Sequence, residues 1–167
     1  MNKFFNLLSN IIVDISQFII SILICLGAGG IGSFFTTPKI SSWYAALEKP
    51  FFNPPNWVFG PVWTILYILM GISLYLVWKQ KETKPRIKWA LFVFAIQLIL
   101  NVMWALVFFA LESPLIALIV IILLWISIGV TIYLFYFISC WSSYLLVPYF
   151  LWVSFAIILN IAIVILN

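Results

Sequence analysis

The chain has 167 residues, 66% hydrophobic and 7% charged, with four acidic residues, two cysteines, no histidine and a net charge of +4. A soluble domain is about 45–50% apolar and about 25% charged, so a soluble globule is excluded, and the usual metal sets and hydrolytic triads lack their parts. Eight basic residues in so apolar a chain set membrane orientation rather than bind phosphate backbones, so neither a metal, a required cofactor nor nucleic acid is expected.

Five apolar segments, 15–35, 58–78, 89–111, 115–138 and 144–166, are each long enough to cross a bilayer, which takes about 20 residues. Lipid offers no partner for backbone N–H and C=O groups, so each must be helical. The expected fold is an all-α integral membrane protein, with residues 1–167 forming a single domain. It is a five-transmembrane-helix bundle with a long outer loop between the first and second spans.

The first span follows Lys3 and runs through Gly27-Ala28-Gly29-Gly30. It is too long for the hydrophobic stretch of a cleavable signal peptide, and bulky Ile24 stands where a lipoprotein signal needs a small residue before Cys25. It is therefore read as retained. Ser21, Cys25 and Gly29 recur every fourth residue, with Ala28–Gly32 and Gly29–Ser33 alongside, and small residues so spaced let helices approach closely. That seam lies within the bundle or in a homodimer. Cys25 and Cys140 are read as inert apolar thiols.

The outer loop, Thr36–Trp57, holds Pro38, Pro50, Pro54 and Pro55 together with Trp43, Tyr44, Phe51 and Phe52. Proline stiffens such a loop while the aromatics give it something to bury, so it is either a lid or a stabilising cover. Between spans two and three, Lys79, Lys81, Lys84, Arg86 and Lys88 face one acid, Glu82, which marks that connection as cytoplasmic. Alternation then puts the N-terminus inside, Thr36–Trp57 and Glu112–Pro114 outside, Cys140–Ser143 inside and Asn167 outside. Pro61, Pro114 and Pro148 are read as helix starts, where a missing N–H costs little. Trp57, Trp78, Trp89 and Trp141 form an interfacial belt.

Three stripes carry the candidate site. Span three places Gln97, Asn101, Trp104 and Phe108 on one face, and amides turned to lipid would go unpaired, so this face points inward. Span two offers Trp63, Tyr67, Gly71 and Trp78, and span five offers Tyr149, Trp152, Ala156 and Asn160. Each stripe alone reads as packing, but together, with rings flanking Gly71 and Ala156 beneath a lid, they outline a flat slot.

These residues resemble a known family. Ser42-Trp43-Tyr44-Ala45-Ala46-Leu47-Glu48-Lys49-Pro50, Pro54-Pro55-Asn56-Trp57-Val58-Phe59-Gly60-Pro61-Val62-Trp63, Gln97-Leu98-Ile99-Leu100-Asn101 with Trp104, and Val147-Pro148-Tyr149 with Trp152 are similar to motifs of the translocator proteins. That family is also called tryptophan-rich sensory proteins, or the peripheral benzodiazepine receptor group. The resemblance implies a five-helix membrane protein, often dimeric, whose pocket under the first loop receives porphyrin, haem or other aromatic small molecules. It implies a bacterial cell membrane as the location, with lipid as a further partner. Pocket positions carry over onto Tyr44, Pro54, Trp63, Gln97, Asn101, Phe108, Trp152 and Ala156, and the stripes add Tyr67, Trp104 and Tyr149 as ligand-binding candidates.

The resemblance also implies a role in sensing or handling tetrapyrroles under stress. Trp63 and Trp152 match the pair tied to light- and oxygen-dependent porphyrin breakdown, which makes them catalytic if that activity is real here. Passive transport of tetrapyrroles or lipids is a further alternative, whereas coupled transport is disfavoured because Asp14, Glu48, Glu82 and Glu112 lie at or beyond span ends. Lys39 or Lys49 at the mouth is positioned in sequence to meet ligand carboxylates. Phe52 and Asn53 depart from the Trp and His of many relatives, and the cholesterol-recognition pattern of animal members finds no support in the final segment.

Overall fold

The computed structural model describes residues 2–80 and 86–167, with side chains from residue 11 onward. The helices are α1 (Asn2–Ile40), a single turn α2 (Trp43–Ala46), α3 (Asn56–Trp78), α4 (Ile87–Ala105), α5 (Pro114–Tyr136) and α6 (Cys140–Leu166). A π-helical turn, Leu106–Ala110, prolongs α4. Among the described residues five helices are long and apolar enough to cross a membrane, so this is a helical integral membrane protein. Helix α1 packs on α3 and α4, α3 on α6, and α5 between α4 and α6. Of the basic connection, Lys81, Glu82 and Lys84 lie outside the described residues, as does the Lys3 side chain.

Several helix ends differ from the sequence expectation. Helix α1 runs on to Ile40 with Pro38 inside it, so the connection to α3 shrinks from Thr36–Trp57 to residues 41–55. The hydroxyls of Thr36 and Thr37 serve the helix: Thr36 Oγ1 donates to the Gly32 carbonyl at 2.9 Å, and Thr37 bonds Ser33 at 3.2 Å. Ser42 Oγ then donates to the Pro38 carbonyl at 3.0 Å, satisfying one of the last carbonyls of the helix. Pro114 opens α5 as expected, but Pro61 and Pro148 lie inside α3 and α6. In lipid an interrupted helix has nowhere else to turn, so it continues through a proline. Residues Cys140–Ser143 form the first turn of α6, and the α5–α6 connection is residues 137–139.

The bundle is solid toward the end that carries Lys79, Arg86 and Lys88. There α1 and α3 touch at Gly71, where an added Cβ would lie 2.8 Å from the Ile22 Cα and 2.7 Å from its Cδ1. The Ser21–Cys25–Gly29 seam thus meets α3 of the same chain, and Gly71 serves helix contact rather than the expected slot. Ser73 Oγ donates to the Ser142 carbonyl at 2.8 Å and Ser142 Oγ to the Ser73 carbonyl at 3.0 Å, a reciprocal clasp of α3 and α6. Phe94 and Phe135 stack with centroids 5.6 Å apart at 9°. Between helices in lipid there is no hydrophobic driving force, so dispersion and these hydrogen bonds carry association.

An aromatic cavity inside the bundle

Toward the other end α1, α3, α4 and α6 separate around a cavity of about 490 Å³. Its walls carry Trp63 from α3, Trp104 and Phe108 from α4 and the π-helical turn, and Trp152 and Ala156 from α6. The π-helical turn has a direct consequence. By wrapping Leu111 N–H to the Leu106 carbonyl at 3.0 Å, it buries three consecutive residues, Val107, Phe108 and Phe109, and sets both phenylalanines against the cavity. A regular helix carries Phe108 inward and swings Phe109 about 100° away, which is why the sequence stripe missed Phe109.

The floor is polar and closed. Tyr67 donates its hydroxyl to Asn101 Oδ1, and Asn101 Nδ2 donates to the Tyr149 hydroxyl at 2.9 Å, so α3, α4 and α6 are bonded through one amide. Trp63 stacks on Tyr67 with centroids 5.6 Å apart, continuing that floor into the wall. On the far wall Trp104 Nε1 donates to Asn160 Oδ1 at 3.2 Å, and Asn160 Nδ2 reaches the Pro114 carbonyl at 2.8 Å. These bonds occupy polar groups that would otherwise face an apolar interior, and they hold the indole of Trp104 in one orientation.

Tyr44 of α2 forms the roof. It is buried, its ring lies 5.7 Å from that of Phe109, and its hydroxyl donates to Asn53 Oδ1 at 2.9 Å. Burial pushes the Tyr44 phenol above its ordinary value, only partly offset by the bond to Asn53, so it remains a donor through neutral pH. Asn53 therefore ties the roof down as the acceptor of that bond. Phe52 covers Phe155 at 6.4 Å.

Of the sequence candidates, Tyr44, Trp63, Tyr67, Asn101, Trp104, Phe108, Trp152 and Ala156 line the cavity. Tyr149 lies beneath the floor, wholly buried. Pro54 sits in the connection, where its carbonyl accepts from Asn53 Nδ2 at 3.0 Å. Gln97, one turn below Asn101, is 1% exposed, and neither of its amide atoms has a hydrogen-bond partner among the described residues. The two lysines expected at the mouth are engaged elsewhere. Lys39 pairs with Glu112 at 2.6 Å, and Lys49 donates to the Leu47 carbonyl at 3.0 Å and lies over the Tyr44 ring. The contribution of α1 was not anticipated: Gly29, Gly30, Ser33 and Thr37 face the cavity, and the run of small residues at Gly27–Ser33 was its one sequence signal.

The fold and its hollow define a class: a membrane protein with, among the described residues, five spans around an aromatic chamber that has an amide floor and no charged group on its walls. Comparison with known proteins agrees. The TspO/MBR family matches residues 21–166. The tryptophan-rich protein TspO of Archaeoglobus fulgidus is 46% identical over 156 residues, covering 93% of this chain and 99% of the relative. The protein of the same name in Chlorobaculum tepidum is 49% identical over 149 residues, 86% and 91% of the two chains. Human translocator protein is 37% identical over 136 residues, 78% of each. The chain belongs to the TspO/MBR family.

Proposed function

We propose that this protein binds porphyrin- or haem-type tetrapyrroles and related flat aromatic ligands in the cavity, for sensing or handling them under stress. The observation that carries the reading is the composition of the chamber. Indoles of Trp63, Trp104 and Trp152 and the ring of Phe108 surround about 490 Å³, within the about 300–1,000 Å³ of small-molecule sites. Each ring pair adds about 0.5–1.5 kcal/mol beyond area burial, and Asn101 supplies a polar group for a ligand edge. Among the described residues Lys39 and Lys49 are engaged with Glu112 and the Leu47 carbonyl, so this reading of recognition rests on the ring system. The test is an absorbance titration of the purified protein with protoporphyrin in darkness. A saturable spectral change that weakens about tenfold or more in Trp63→Ala/Trp152→Ala supports the site; equal affinity in both proteins refutes it.

Trp63 and Trp152, both on the cavity wall, carry a second reading, light- and oxygen-dependent porphyrin degradation with the two indoles against the bound ring. Illumination with protoporphyrin decides it: loss no faster than in empty detergent removes the activity. We further propose that the end carrying the α1–α3 connection faces outward from a bacterial cell membrane, with Lys79, Arg86 and Lys88 on the cytoplasmic side. A homodimer remains part of this proposal, using a face other than the Ser21–Cys25–Gly29 seam.

A further inference from the structure

The cavity is fastened above and open at the side. Among residues 41–55, Tyr44 alone lines it among the described residues, and Tyr44 is tied down by Asn53 and by the rings of Phe108 and Phe109. The strand of chain beside it is clamped as well. Asn167 accepts from the Glu48 N–H at 3.0 Å and returns its Nδ2 to the Glu48 carbonyl at 3.1 Å, while Lys39 and Glu112 join the end of α1 to the α4–α5 turn.

The side wall behaves differently. Helices α1 and α3 are in contact at Gly71 and again at Gly29, where an added Cβ would lie 2.5 Å from the Tyr67 ring. Beyond that point they part. Gly30 on α1 and Gly60 on α3 both line the cavity, both are exposed, and an added Cβ at either would meet no atom within 4 Å. Ser33, Thr37 and Thr64 edge the same gap and are exposed as well. Their hydroxyls are already used: Ser33 with Thr37, and Thr64 with the Gly60 carbonyl at 2.9 Å. The gap therefore shows hydrocarbon and satisfied hydroxyls, a surface that costs an apolar molecule little to slide along. Gly30 lies ten residues from the end of α1, about 15 Å along the helix, which is inside a hydrocarbon core about 30 Å thick.

We propose that the crevice between α1 and α3 is the doorway of the cavity, admitting apolar ring ligands already dissolved in the bilayer rather than ligands from the aqueous side. The proposal builds on the ligand-binding reading, and its test separates the two. Gly30→Trp/Gly60→Trp fills the crevice from two positions where an added Cβ meets no atom within 4 Å. Gly27→Trp is the control, on the same helix, equally open, and away from the cavity. Blocking one route slows arrival and departure together, so in nanodiscs the filled variant should both take up and release protoporphyrin about tenfold more slowly, whereas damage to the binding wall alone would speed release, and the control matches the unaltered protein. Unchanged rates in the filled variant, or an equally large acceleration when the roof is loosened by Asn167→Ala, overturn the doorway.

A second measurement needs no porphyrin. Nanodiscs containing a phospholipid with a diazirine on its acyl chain are illuminated and the labelled residues mapped by mass spectrometry. Tyr67, buried at the cavity floor, should be labelled in the unaltered and Gly27→Trp proteins and spared in Gly30→Trp/Gly60→Trp. Labelling of Tyr67 that is absent from the unaltered protein, or equal in all three, overturns the doorway. Protoporphyrin failing to bind while this labelling pattern holds refutes the ligand and keeps the route.

Discussion

Helices α1 and α3 meet twice, in opposite ways. Near Gly71 the two backbones are so close that a methyl group would strike the Ile22 main chain, and the neighbouring Ser73–Ser142 clasp leaves no space. Around Gly30 and Gly60 the same two helices face open space. Glycine is present at both levels for different physical reasons: close approach in one, and an unfilled margin in the other. A glycine in a membrane helix thus reports a contact only when the facing helix is known.

Substitutions at the two levels should separate them. The largest effect is expected for Gly71→Leu, which must push α1 from α3 against backbone atoms; about 3 kcal/mol of stability is at stake, read as a fall in the thermal midpoint in detergent. Gly30→Leu, in the open half, should stay within about 0.5 kcal/mol of the unaltered protein in the same assay. A comparable loss at both would erase the contrast.

Next comes Asn101→Leu. It strips the partner from the hydroxyls of both Tyr67 and Tyr149, and buried polar groups left unpaired cost about 1–3 kcal/mol each in soluble proteins, with membrane values toward the low end. A loss of about 2 kcal/mol accompanied by weaker protoporphyrin binding is expected, and an isolated change in only one of the two would show that floor and site are separable. Ser73→Ala, in the solid half, should cost about 1 kcal/mol with no change in ligand affinity. The smallest effect is Glu112→Gln: the pair with Lys39 is about one-third exposed on each side, so under about 1 kcal/mol is expected, shrinking further as salt is added.

Much of the framework was legible. Uninterrupted apolar runs with every basic residue kept near a helix end leave five crossing helices as the only arrangement lipid permits, and Asn101, Trp104 and Phe108 fall on one face at helical spacing. The errors cluster at prolines and small residues. Pro38, Pro61 and Pro148 read as boundaries because in water a chain leaves the helix there, whereas helices α1, α3 and α6 continue past them. Gly71 read as part of a slot because its own helix also carries Trp63 and Tyr67, but the face it shows is settled by Ile22 on another element.

What the amino-acid order determines here is local and solvent-driven: which stretches must be helical, which connection is basic, and which residues bring rings or amides to an inner face. Those follow from the cost of leaving polar backbone or charge in hydrocarbon, a cost that each segment meets alone. Tertiary packing decided the rest. The π-helical turn that brings Phe109 beside Phe108, the closed amide floor, the clamped roof and the parting of α1 from α3 all depend on contacts between residues far apart in the chain. Periodicity within one helix carries no information about how far away its neighbour stands, and that distance is what separates a packed seam from a chamber.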